Sequence, residues 1–233
     1  MILAIESATP CGSAALVARG AVVREILLPP GIQASETLLS AVAGLFPPGG
    51  PSRREVACVA VSAGPGSFTG LRVGMAAAKG LCFGWGVPVV LVPTLAALAS
   101  RFPGEGRTIC PVLDARKKEV YAAFFRWEGG TLFRQTPDMA LPPQTLPSRV
   151  PDGNVVFCGD AVGPFGAMFR SLLGVRAELV EGPEGLPRAG AVGLLGEAAF
   201  LAGAAEDPRT AVPRYLRPSE AELFQAGKGS RAL

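Results

Sequence analysis

Histidine is absent from the 233 residues. Its absence excludes a histidine general base, a Ser-His-Asp or Cys-His site, and the paired-histidine zinc arrangements. Chemistry in this chain would have to run on carboxylates, hydroxyls, thiols, lysines or backbone dipoles. Lysine is scarce, occurring only as Lys79, Lys117, Lys118 and Lys228. The net charge of +3 is too weak and too scattered to announce nucleic-acid binding by electrostatics alone. Cys11, Cys58, Cys82, Cys110 and Cys158 include no C-x-x-C pair, so spacing gives no zinc or redox motif. An odd cysteine count in an unstapled chain suits a reducing compartment, and four of the five lie in apolar runs that read as buried thiols. No apolar stretch reaches about 18 residues without charges or breakers, which argues against a membrane span. The opening Met1-Ile2-Leu3-Ala4-Ile5-Glu6 does not read as a secretory leader. The expected location is the cytoplasm.

What the chain does have is apolar content, 49% against 18% charged, enough for a large core. Ile2–Ile5 reads as a buried strand ending at Glu6, and Arg19-Gly20 as the turn of a hairpin. Apolar residues at Leu38, Leu39, Val42, Leu45 and Phe46 predict an amphipathic helix over Ser35–Phe46, with Ser35 or Thr37 near its cap. Val56–Ser62 reads as a strand, Phe68–Trp85 as a helix, Val89–Val92 as a strand and Thr94–Phe102 as a helix. Pro103–Gly106 marks the expected boundary, giving lobes 1–104 and 105–233. The second lobe reads as strands at Thr108–Leu113, Glu119–Trp127, Thr131–Gln135, Val155–Cys158 and Ala177–Val180. Its helices fall at Pro164–Leu173 and Ala189–Ala204. The tail from Ala205, with Pro208, Pro213 and Pro218, reads as irregular before a short helix. Strands alternating with helices in two similar halves predict an α/β protein.

The most informative stretch is Gly64-Pro65-Gly66-Ser67-Phe68-Thr69-Gly70-Leu71-Arg72-Val73-Gly74, between a buried strand and a helix. Glycines allow close backbone approach, and the helix N-terminus behind them favours anions. One reading is a phosphate or nucleotide cradle; the other is a strand-to-helix turn with Ser67 as its cap. No Gly-Lys-Ser/Thr follows, so this is not a Walker A loop. The helix carries Gly70, Gly74, Gly80 and Gly84, each costing about 1 kcal/mol against alanine in a helix interior. Such a helix needs a close-packed neighbour, inside the chain or on another one.

The Gly64–Gly74 run, with Ile2-Leu3-Ala4-Ile5-Glu6-Ser7-Ala8-Thr9, strongly resembles the TsaB family of tRNA threonylcarbamoyladenosine biosynthesis proteins. Asp114-Ala115-Arg116-Lys117-Lys118-Glu119-Val120-Tyr121 and Pro213-Arg214-Tyr215-Leu216-Arg217 match as well, and the resemblance spans essentially the whole chain. It implies a two-lobed actin/Hsp70/sugar-kinase-like fold. It also implies a non-catalytic member that pairs with a homologous transferase, TsaD, and works with a small ATPase, TsaE. In the family, the transferase places threonylcarbamoyl on N6 of adenosine 37 in tRNAs reading ANN codons. ATP and a metal belong to the partners, so the resemblance implies no cofactor and no metal in this chain, with tRNA met through the complex. Docking in the family runs through N-lobe helices, which here implies Ser35, Leu38, Leu39, Val42, Gly70, Val73, Gly74, Ala77 and Leu81; a homodimer of the lone chain through the same helices is a further expectation. Two departures stand out: Ala34 precedes Ser35-Glu36 where many relatives carry histidine, and Glu6 stands where the strand-end acid is often aspartate.

Beside the scaffold reading stands an ATP-binding kinase- or ATPase-like enzyme of the same fold. Its candidate phosphate or nucleotide contacts are Glu6, Ser7, Gly64, Gly66, Ser67 and Asp114. Arg116, Lys117 and Lys118 are candidate tRNA phosphate contacts, against a plain reading as a solvated hairpin tip. Tyr215 with Arg217 reads as packing of the tail against the body. A peptidase is disfavoured by the missing histidine, metal set and nucleophile–base pair.

Overall fold

A computed structural model describes residues 1–217 and shows two sheets in sequence. The first is built from β1 (Ile2–Glu6), β2 (Ser13–Ala18), β3 (Ala21–Leu27), β4 (Cys58–Gly64) and β5 (Val89–Pro93), in the order β3-β2-β1-β4-β5. β1, β4 and β5 run parallel; β2 and β3 form an antiparallel meander on β1. Every residue of β1 is buried, because both faces of the central strand are covered. Leu3 and Ile5 face α1 (Ala34–Gly44) and α2 (Phe68–Trp85). Ile2 and Ala4 face the opposite layer. α3 (Thr94–Ala99) leads out of this sheet.

The second sheet has seven strands: β6 (Thr108–Arg116), β7 (Glu119–Ala122), β8 (Phe125–Glu128), β9 (Thr131–Arg134), β10 (Met139–Leu141), β11 (Val155–Cys158) and β12 (Ala177–Leu179). α4 (Val162–Leu173) covers one side, with Phe169 stacked on Phe157 at 4.5 Å. The single strand expected over Glu119–Trp127 is two. Ala123 and Phe124 break it, and Phe124 enters one core while Phe125 enters another. Thr136 and Gln135 take up the freed Phe124 backbone: its amide donates to the Thr136 hydroxyl and its carbonyl accepts from Gln135.

α5 (Ala189–Leu201) crosses back. The division at residue 104 puts it with the second lobe, yet it lies on β1, β2 and β4 of the first sheet. Gly193 and Gly196 set the distance: a Cβ at Gly193 would overlap Val17, and one at Gly196 would overlap Ala60. Glu197 fastens this helix by accepting from the Arg19 and Gly20 amides of the β2–β3 turn at 2.8 and 2.6 Å. One cap differs from expectation and one agrees with it. α1 starts after Gln33 without a side-chain cap, whereas Ser67 does cap α2, its Oγ accepting from the Gly70 amide at 3.3 Å. The short helix expected near the C-terminus lies outside the described residues. Among those described, no helix is long and apolar enough to cross a membrane.

Candidate functional site

Between the two sheets lies a cleft of about 520 Å³. The first lobe supplies Ala8 and Pro10 from the β1–β2 loop and Pro65–Thr69 from the turn into α2. The second supplies Leu113–Lys117 and Asp160, and the tail supplies Arg214–Arg217. The structure therefore brings together Gly66, Ser67, Asp114, Arg116 and Lys117 from the residues singled out in the sequence. Gly64 is buried outside this cleft and lines a second cavity, and Lys118 is exposed at the hairpin tip.

Glu6 lies beneath this cleft, fully buried at the end of β1. Its Oε1 accepts from the Ala8 amide at 2.5 Å, the Thr9 amide and Ser62 hydroxyl also favour its charged form, and Oε2 has no hydrogen-bond partner. Burial outweighs these donors and pushes the carboxyl up to about 7. Ser7 is equally enclosed, its hydroxyl donating to the Gly70 carbonyl at 2.8 Å. Neither side chain reaches the cleft surface. Glu6 folds the β1–β2 loop over itself, and Ser7 stitches that loop to α2.

The turn before α2 is held as tightly. The Ser67 amide donates to the Ala8 carbonyl at 2.7 Å. Gly64 has φ +118, and a Cβ there would overlap the Arg214 carbonyl of the tail. Across the cleft, Asp114 accepts from the Arg116 amide at 2.8 Å and pairs with its guanidinium at 3.2 Å. Arg116, Lys117 and Lys118 all have positive φ, which turns the hairpin tip and sets Arg116 and Lys117 on the cleft wall, with Lys118 exposed beside them. Asp160 accepts from the Asp114 amide at 2.9 Å, and burial raises its carboxyl above the usual range. Asp160 was missed in the sequence. The signal that could have found it is a Gly-Asp pair directly after the apolar run Val155–Cys158, a second strand-to-helix turn like that at Gly64. Among the described residues no three acids or cysteines gather into a metal-holding group.

The residues proposed for partner docking divide into two sets. Ser35 and Leu39 are exposed, while Val73, Ala77 and Leu81 are half-buried. Leu38 and Val42 belong to the core beneath α1. Gly70 and Gly74 are correspondingly committed inside the chain, because a Cβ at Gly70 would overlap the Ser7 carbonyl and one at Gly74 the Ser7 hydroxyl. All four contribute to packing within the chain, behind or between the helices. The small residues with open space above them are Gly80 and Gly84, beside exposed Phe83 and Ala76.

Two lobes around a cleft, with a β-meander opening the first and strand-to-helix turns facing each other, define an actin/Hsp70/sugar-kinase-like fold. A solved activator of 2-hydroxyisocaproyl-CoA dehydratase from Clostridium difficile, with bound ADPNP, shares this fold at TM-score 0.53 and 9% identity, over 87% of this chain and 96% of that one. YeaZ from Pseudomonas aeruginosa is much nearer, with TM-score 0.77 and 25% identity over 92% of this chain and 99% of its own. The tRNA threonylcarbamoyladenosine biosynthesis protein TsaB of Bacillus subtilis is 28% identical over 95% of this chain and 96% of its own length. TsaB of Escherichia coli is 34% identical over 64% of this chain and 65% of its own. A family model described as TsaD, tRNA N6-adenosine threonylcarbamoyltransferase, matches residues 32–223. The chain belongs to this TsaD-like family, and its likeness over the whole length is to the TsaB proteins within it.

Proposed function

We propose that this chain is a non-catalytic activating subunit in tRNA threonylcarbamoyladenosine biosynthesis. In this reading it pairs with a homologous TsaD-type transferase in the cytoplasm. That partner transfers threonylcarbamoyl to N6 of adenosine 37 in ANN-decoding tRNAs, a TsaE-type ATPase joins the assembly, and ATP and metal are used by the partners. The observation that carries the reading is the outer side of the α1–α2 pair. Leu39 is 60% exposed and Phe83 58%, with Ala76, Gly80 and Gly84 also open to solvent. Large apolar side chains beside bare glycines suit a surface where another helix approaches closely.

The first lobe's loop adds support. In a phosphate-binding loop the backbone amides must be free for the anion. Here the Ala8 amide is taken by Glu6 and the Ser67 amide by the Ala8 carbonyl. A second reading, nucleotide binding by the isolated chain, is favoured by the 520 Å³ cleft and its cationic hairpin tip. ATP titration into the isolated chain separates the two. Binding that is lost in Asp114→Ala supports the second reading; no binding at millimolar ATP removes it.

The pairing is tested by sedimentation of the chain with its transferase. Leu39→Arg is expected to abolish the complex while thermal unfolding stays within about 0.5 kcal/mol of wild type. A complex that survives both Leu39→Arg and Gly80→Glu places the interface elsewhere.

A further inference from the structure

The cleft is crossed by a segment of its own chain. Residues 214–216 line both the 520 Å³ cleft and a second cavity of about 330 Å³, which Gly64, Pro93 and Asp138 border on the far side. The segment is therefore the wall between two cavities. Its first end is fixed to the first lobe. The Arg214 amide donates to the Ala63 carbonyl at 2.7 Å, and Gly64 makes room for the Arg214 carbonyl. The Tyr215 ring lies 4.8 Å from Phe68, and its hydroxyl accepts from Arg72 Nε at 3.1 Å. Arg72 itself sits 3.8 Å over the Phe68 ring.

Two residues further on, the segment is fixed to the second lobe. Arg217 pairs with Glu119 of β7 at 2.5 Å, and both side chains keep only 29% of their surface. Glu119 opens the strand that follows the cationic hairpin tip. Within four residues, then, the chain grips the first turn of α2 and the base of the opposing hairpin. Partial burial and charge-assisted geometry make this ion pair worth more than a fully solvated one.

We propose that residues 214–217 are an interlobe latch, holding α2 and the β6–β7 hairpin at a fixed separation and thereby setting the opening of the cleft between them. The Phe68–Arg72–Tyr215 cluster is the first-lobe anchor, and the Glu119–Arg217 pair is the releasable clasp. The device is independent of the tRNA-modification reading, since it rests on contacts within one chain.

Hydrogen exchange on the full chain, followed by mass spectrometry, tests it. Arg217→Glu places like charges at the clasp. Exchange in the 114–119 hairpin and in 211–217 is expected to rise roughly twofold to fivefold, with β1 and β4 unchanged. Combining Glu119→Arg with Arg217→Glu restores the pair in reverse and is expected to return exchange to wild-type levels. If Arg217→Glu unfolds the chain, Tyr215→Ala serves in its place, and faster exchange of the same hairpin is expected from the opposite anchor. Unchanged hairpin exchange in the folded variant, or failure of the reversed pair to restore it, overturns the latch.

Discussion

The Ser7 hydroxyl donates to the Gly70 carbonyl at 2.8 Å and lies where a side chain on Gly74 would have to go. One serine thus explains two of the four glycines in α2. The helix gives up intrinsic propensity at Gly70 and Gly74 so that the β1–β2 loop can lie directly on its backbone.

Gly74→Ala is expected to destabilise the chain by about 1–3 kcal/mol through overpacking against Ser7, although alanine is the better helix former. Gly80→Ala and Gly84→Ala meet open space and are expected to stabilise it by about 0.5–1 kcal/mol. Urea denaturation of the three variants checks the contrast in sign.

Under the proposed pairing, adjacent residues on α1 separate folding from docking. Leu38 is 1% exposed and Leu39 60%. Leu38→Ala is expected to cost about 2–5 kcal/mol, the usual range for an emptied core leucine. Leu39→Ala is expected to leave stability within about 0.5 kcal/mol and to weaken pairing with the transferase. Paired denaturation and sedimentation measurements read both effects.

Glu6 gives the fold a pH dependence of definite sign. Its folded value of about 7 stands above the ordinary 4.5, so the protonated form is the one that burial favours. Its contribution is fully present below about pH 4.5 and is lost as pH rises through about 7. The difference corresponds to roughly 3 kcal/mol. Wild type is expected to lose stability across this window, and Glu6→Gln to lose less. Equal slopes of stability against pH in the two proteins would exclude Glu6 as the source.

Four of the five cysteines are expected to resist alkylation in the folded chain. Burial pushes the Cys58 thiol up to about 12 and Cys82 up to about 11, and raises Cys110 and Cys158 as well. Cys11 is exposed in the β1–β2 loop. Mass spectrometry after iodoacetamide treatment should find one adduct per native chain and five after unfolding.

Helix α2 was legible from its apolar pattern and its Ser67 cap, and both ends fall where the sequence puts them. The strand Val155–Cys158 was equally plain, because a short apolar run between turn residues has few other uses. The β7–β8 break was not, since Ala123 and Phe124 are as apolar as their neighbours and only the two separate cores distinguish them. The return of α5 to the first sheet was also hidden: a glycine- and alanine-rich helix carries no mark of which sheet it covers. At the site, the Gly64–Gly74 turn was legible from its glycines, but which glycines face inward depends on Ser7, 63 residues before Gly70 in sequence. Asp160 and the Arg217–Glu119 clasp depend on the approach of two lobes, which no local pattern records.

The central claim is tested most directly by depleting this protein in its own cells and measuring nucleosides from bulk tRNA by mass spectrometry. The account predicts a fall in threonylcarbamoyladenosine, restored by the wild-type chain and not by Leu39→Arg. An unchanged level with depletion verified would contradict it and leave the family likeness as a statement of fold and ancestry alone.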